Sequence, residues 1–185
     1  FNDFIVTSDI GPEQKILKKD VKIINSRSQI EKIRDKVVNL IIKSKVIIAK
    51  DGRIEISHHK GIKNFYKFGL CMITILNSKY CKKLLFIFKN QKHPPQFHKI
   101  KQETFFILYG KVRLKITKNK KNAVKELSTG DIVTIYPGEI HSFEGLSKDG
   151  AVIEELSTKS TSKDSYYLDK KISSNKNRKS FISLN

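Results

Sequence analysis

The chain has 185 residues, 38% apolar and 30% charged, which suits one domain of ordinary size with a real core. Its net charge is +19, yet of 37 basic residues 32 are scattered lysines and only five are arginines, the residue that base and phosphate readers favour. That balance argues against nucleic acid and for attraction of an anionic sugar or sugar phosphate. No apolar run approaches the roughly 18–20 residues of a membrane span, and residues 1–20 lack the basic start and apolar block of a signal peptide. Cys71 and Cys81 form no CxxC pair and are expected as free thiols of a cytoplasmic protein. The opening on Phe1 is consistent with a piece of a longer polypeptide.

Residues 1–28 mix Gly11, Pro12 and polar runs and read as an irregular arm. From Ser28, placed to cap a helix, "SQIEKIRDKVVNLIIKSKVI" sets Ile30, Ile33, Val37 and Ile41 at three- and four-residue spacing. Gly52 breaks the chain, and after residue 53 the period shortens. "RIEISHH", "FGLCMITILNS", "KLLFIFKN", "GKVRLKITKNKKN", "GDIVTIYPGEIHSFEGL" and "AVIEELST" read as short strands between turn signals, with "KNKK" at 118–121 as a hairpin tip. Six to eight such strands predict a mainly β fold, an antiparallel barrel or sandwich. The expected organisation is an arm and helix over 1–52, a barrel over 53–158, and a basic Ser/Lys/Asn-rich tail over 159–185 that drapes over the barrel or is partly disordered.

The chemistry concentrates in "HPPQFHKIKQETFFILYG", residues 93–110. Gln96 and His98 are two apart, so on a strand both side chains leave one face. "KIKQ" lets the chain turn, Glu103 opens the next strand, and Gly110 permits a tight turn out of it. Downstream, Pro137-Gly138 turn the chain and His141 returns to the barrel. Imidazoles with a carboxylate and open positions form the ligand set of a divalent transition metal such as Zn, Mn, Fe or Ni. The candidate ligands are Gln96, His98, Glu103 and His141. His93 is the alternative to Gln96, although Pro94-Pro95 is expected to hold it in the preceding turn. His58-His59 read as surface residues at a strand end, and Tyr166-Tyr167 as either tail packing or a sugar-binding pair at the barrel mouth.

The series Gln96-x-His98, Glu103, Gly110, Gly130, Tyr136-x-Gly138 and His141 resembles the two motifs of the cupin superfamily, with glutamine replacing the first histidine and tyrosine the first proline. The resemblance implies a cupin-type antiparallel β-barrel (jelly roll) with an N-terminal helix, and a homodimer. "RIEISHHKGIKNFYKFG", "NSKYCKKLLFIFKNQKHPPQFHKIKQETFFILYGKV" and "EELSTKSTSKDSYYLDKKI" look like the C-terminal cupin region of bacterial N-acetylneuraminate (sialic acid) synthase-like proteins. That likeness implies a sugar-recognising module in the making of nonulosonic or surface sugars, without the synthase's catalytic barrel.

The site is also similar to that of the cupin sugar isomerases of the D-lyxose isomerase type. That similarity implies a metal acting as Lewis acid on sugar oxygens, with Lys101 or a glutamate of "AVIEELST" shuttling the proton between C1 and C2. Alternation puts Glu154 and Glu155 on opposite faces, so one of them faces the barrel, and Glu155 is taken as the tentative partner of Lys101. The competing reading of Lys101 is a solvated turn lysine. Two functions follow, a metal-binding sugar module or a metal-dependent sugar isomerase or epimerase.

Overall fold

A computed structural model describes residues 13–48 and 52–184, with side chains from Arg27 onward apart from Ser162. Helix α1 (Glu13–Ser44) leads into strands β1 (Arg53–His58), β2 (Gly69–Asn77), β3 (Tyr80–Ile87), β4 (Gln96–Phe97), β5 (Glu103–Tyr109) and β6 (Lys111–Lys118). Strands β7 (Lys121–Ser128), β8 (Ile132–Ile135), β9 (Ile140–Gly145), β10 (Ala151–Thr158) and β11 (Tyr166–Tyr167) follow. A short helix α2 (Lys170–Ser174) and strand β12 (Lys179–Ser183) complete the order. The helix reaches back to Glu13, so Ser28 lies inside it rather than at its start, and residues 13–28 are not an irregular arm. The rest of the expected arm, 1–12, lies outside the described residues.

The strands form two antiparallel sheets, ordered β12-β1-β2-β3-β10-β5-β8 and β11-β4-β9-β6-β7. No strand belongs to both, so among the described residues the expected antiparallel barrel or sandwich takes the form of two sheets packed face to face, with no closed barrel. The residues after 158 add a strand to each sheet: β11 pairs with β4, and β12 pairs with β1 from Arg53↔Ser183 to Ser57↔Lys179. They are therefore built into the fold rather than draped over it. Where "KNKK" was expected to form a tip, Asn119 and Lys120 take φ of 48° and 63°, the left-handed pair of a two-residue turn that suits the twist of paired strands.

Period-two alternation sorts the seven-stranded sheet into two faces. Ile54, Ile56, Ile73, Leu84, Phe86 and Val152 point outward and are covered by Ile33, Val37 and Leu40 of α1. Leu85, Ile87, Phe105, Ile107 and Ile153 point inward and meet Val112, Leu114 and Phe143 of the second sheet. The inward face changes character along each strand. β3 runs from Ile87 and Leu85 to Lys83, β10 from Ile153 to Glu155, β5 from Ile107 and Phe105 to Glu103, and β9 from Phe143 to His141. One half of the interior is thus apolar core, and the other is lined by charged and imidazole groups. Cys71 and Cys81 are buried and free.

The contact face of the helix is apolar and stabilises this layer by burial, with Gln29 donating to the Ile62 carbonyl at 2.9 Å and Lys43 paired with Asp149 at 2.7 Å at its edges. Leu40→Ala is expected to cost about 2–4 kcal/mol through lost contacts and a cavity. The cost should appear as a lower urea midpoint at unchanged slope. A loss below roughly 0.5 kcal/mol, the size of a surface change, would show that α1 is not docked on the sheet.

Candidate metal centre and active site

The polar half of the interior is a cavity of about 270 Å³, near the lower end of the range for small-molecule sites. His98, Glu103 and His141 meet in its wall, with one potential ligand atom from each lying within 4.8 Å of the others. All three are buried, at 3%, 2% and 1% exposure. Glu103 opens β5, and His141 lies near the start of β9. The Pro137-Gly138 turn delivers His141: Gly138 has φ of 85°, favourable only for glycine, and its N–H donates to the His98 carbonyl at 2.7 Å. That bond ties the two histidine-bearing segments together.

Each imidazole is oriented by its other nitrogen. His98 Nδ1 bonds the backbone carbonyl of Asp164, and His141 Nδ1 lies 3.3 Å from the carbonyl of Glu139. Such bonds place the proton on Nδ1 and leave Nε2 with its lone pair toward the cavity. His98 Nε2 lies 3.4 Å from Glu103 Oε1, and His141 Nε2 lies 3.2 Å from Glu103 Oε2. His98 Nε2 and Glu103 Oε2 are nevertheless buried without an aligned hydrogen bond. Buried lone pairs that converge without satisfying one another fit a shared cation. Gln96 sits opposite His141 in the β4–β9 pairing, half-buried on the cavity wall, and is the candidate for a further oxygen donor. This donor set suits a divalent transition metal.

His93 does not stay in the turn before the strand. Its ring is buried in the cavity wall, 4.9 Å from that of His59 and 6.0 Å from that of Tyr167, yet outside the converging group. Burial and the neighbouring His59 hold its pKa well below the usual imidazole value, so it is neutral. His58 and His59, expected at the surface, are also buried. His59 Nε2 lies 3.1 Å from the Tyr167 hydroxyl, and burial together with Arg178 lowers its pKa to about 3. Burial raises the Tyr167 phenol to about 12. Tyr167 lines the cavity, while Tyr166 stacks on Phe97 at 5.2 Å.

Lys101 is no solvated lysine. It is buried, with Nζ 2.5 Å from Glu103 Oε1 and 3.2 Å from Glu155 Oε1. Burial opposes its charge, but the Glu155 and Glu103 carboxylates prevail and raise its pKa, so it is an ammonium. Burial likewise opposes charge on Glu103, and the Lys101 ammonium at 2.5 Å from its Oε1 helps hold the carboxyl well below its usual range. Of the two candidate glutamates, Glu155 faces the cavity, while Glu154 pairs with Lys82 at 2.9 Å on the other face. Lys83, Lys101 and Ser157 all donate to Glu155 Oε1, at 3.1, 3.2 and 3.1 Å. Among the described residues none donates to Oε2, which is left to accept a proton.

Asp164 is a positioning residue that sequence reasoning missed. Its carboxylate accepts from the backbone N–H groups of Lys99, Ile100 and Lys101, at 2.8, 3.2 and 2.8 Å. Its own carbonyl orients His98. One buried tail residue therefore fixes both a candidate ligand and the turn that carries Lys101. Removing such an outer partner typically costs 10–100-fold in metal affinity, so Asp164→Ala should lower metal retention by about that factor. Equilibrium dialysis measures it, and retention equal to the unaltered chain would deny Asp164 this role.

Together these features define a cupin-type fold with a buried two-histidine, one-carboxylate centre. The L-ribose isomerase of Acinetobacter sp. DL28, solved with L-ribose, shares the fold with a TM-score of 0.68 at 13% identity, over 80% of this chain and 94% of that one. The L-ribose isomerase of Cellulomonas parahominis gives a TM-score of 0.66 at 13% identity, over 80% and 94%. At such identity the likeness is one of fold.

In sequence, the chain is similar to the D-lyxose/D-mannose isomerase of Thermosediminibacter oceani, at 28% identity over 79% of this chain and 94% of the relative. It is similar to the D-lyxose ketol-isomerase of Cohnella laeviribosi at 28%, over 72% and 85%. No family model matches the chain. These relatives are named as sugar isomerases, and the expected link to sialic acid synthase-like proteins finds no support in them. No helix among the described residues is long and apolar enough to cross a membrane.

Proposed function

We propose that the protein is a metal-dependent aldose–ketose isomerase acting on D-lyxose or D-mannose. The carrying observation is that the His98, Glu103 and His141 cluster shares one buried cavity with the Lys101–Glu155 pair. A ligand cluster alone suits a binding module as well as an enzyme. A carboxylate with one oxygen saturated by donors and the other free is what a proton shuttle requires. The named relatives support the same reaction, and D-lyxose and D-mannose share their configuration from C2 to C4.

His98, Glu103 and His141 would hold the metal, with Gln96 as an auxiliary donor. A divalent ion there supplies a Lewis acid that polarises the carbonyl and adjacent hydroxyl oxygens of the sugar. Glu155 removes the proton from C2 through Oε2 and returns it to C1. Lys101, held as an ammonium between two carboxylates, donates a hydrogen bond to the sugar oxygen that gains negative charge. Lys83 and Ser157 fix the Glu155 carboxylate so that no reorganisation accompanies transfer.

The test is incubation of metal-supplemented protein with D-lyxose and D-mannose in deuterium oxide, followed by proton NMR. Expected are D-xylulose and D-fructose, with deuterium entering at C2 of recovered aldose. Sugar binding without exchange across a panel of aldoses would reduce the protein to a sugar-recognising module.

A further inference from the structure

The charges lining the cavity do not cancel. Glu103 is matched by Lys101, Glu155 by Lys83 and Lys101, and Glu55 by Lys179 at 2.7 Å. Arg178 is the cation left over. It lines the same cavity, and among the described residues no carboxylate lies within ion-pair distance of it. It is held in place all the same. Its guanidinium lies 5.1 Å from the centre of the Tyr167 ring, and its backbone carbonyl accepts from the His58 N–H at 2.8 Å. His59, the imidazole whose pKa Arg178 lowers, is buried and neutral, and Glu55, an acid of the same lining, is paired with Lys179. An ordered, half-buried guanidinium with five N–H donors, in contact with the Tyr167 side chain and without a carboxylate partner among the described residues, is a receptor for a planar or tetrahedral oxyanion.

Its position relates that anion to the reacting carbons. Tyr167 pairs with Gln96, and Gln96 pairs with His141, so the three form one row across β11, β4 and β9. Tyr167 therefore stands two strand spacings from the ligand cluster, roughly 10 Å at about 4.8 Å per strand. That separation suits a sugar whose C1–C2 end lies at the cluster and whose last carbon reaches Arg178. D-lyxose and D-mannose differ at that far end, and one relative is named for both.

We infer that the cavity takes an aldose bearing an oxyanion, phosphate or carboxylate, on its terminal carbon, with Arg178 receiving the anion. The inference rests on the isomerase reading for the placement of C1 and C2. The net charge of +19 would draw any anion weakly, but screening at physiological salt acts mainly on that diffuse field and much less on a half-buried contact.

The experiment is calorimetric titration of the metal-loaded full chain with 1,5-anhydro-D-mannitol, its 6-phosphate and the matching 6-carboxylate, none of which can isomerise. Turnover of D-mannose is followed in the same preparation. The anionic forms are expected to bind on the order of 10–100-fold tighter than the neutral one, as for hydrogen bonds to a charged partner. Arg178→Met should bring the ratio to about one, and Arg178→Lys should keep part of it. Preference for either anion upholds the inference and identifies the anion. Equal binding of neutral and anionic forms, or a ratio that survives in Arg178→Met, overturns it. Isomerisation of D-mannose without anion preference removes the subsite and leaves the isomerase. Anion preference without C2 exchange by any aldose upholds the subsite and removes the isomerase.

Discussion

His141→Ala is expected to strip the protein of bound metal and of isomerase activity together. His141 is 1% exposed, its Nδ1 is occupied by the Glu139 carbonyl, and its Nε2 faces Glu103 Oε2 at 3.2 Å. Alanine leaves two of the three converging side chains and a buried carboxylate with one fewer partner. Outer-sphere changes already cost about 10–100-fold in metal affinity, and loss of a ligand should exceed that. Metal content after dialysis, by elemental analysis, gives the direct reading, and circular dichroism checks that the chain stays folded. His98→Ala should behave alike. If either variant keeps the metal content of the unaltered chain, the centre has been placed wrongly.

Removing the proton shuttle should separate chemistry from metal binding. Glu155→Gln keeps the shape of the side chain and the contact at Oε1 but cannot accept a proton. Lys101→Met keeps the length of the side chain and discards the ammonium. Positioned acid–base groups contribute typically 10²–10⁴-fold, so each substitution should lower kcat by about that factor. Metal content should stay close to that of the unaltered chain, in contrast to His141→Ala. The two losses should also fail to add, because Lys101 and Glu155 share a contact at 3.2 Å and act as a unit. Wild-type deuterium exchange at C2 by metal-loaded Glu155→Gln would remove Glu155 from the mechanism. The variants then distinguish an enzyme from a binding module, since a binding module has no kcat to lose.

Both predictions depend on residues of unequal legibility. His98, Glu103 and His141 stood out from spacing alone. Alternation along a strand and a turn with a fixed glycine constrain direction strongly enough for three side chains to be placed on one wall. Gln96 and His93 were harder, because the direction of a side chain beside Pro94-Pro95 depends on what the turn packs against. In the structure both enter the cavity wall, and only Gln96 lies beside His141 in register. Alternation by itself does not choose between Glu154 and Glu155, since it gives two faces without saying which is inside. Packing of Val152 against the helix settles it, sending Ile153 and Glu155 inward.

The local part of this protein is legible in its residues alone. Period-two runs gave strands, three- and four-residue spacing gave the helix face, and the two strand-turn units gave the candidate ligand cluster and its cupin-like setting. These depend on contacts within a few residues, where side-chain direction follows from backbone geometry. The rest follows from packing between distant segments. Asp164 reaches back to bond Lys99, Ile100 and Lys101, and Arg178 and Tyr167 arrive from a tail that composition marks as polar and loose. Lys101 looks solvated until two carboxylates from separate strands bury it. Which charges cancel inside a cavity, and which one is left for a ligand, is a property of the packed whole, because Coulomb interactions follow distance in space and not position along the chain.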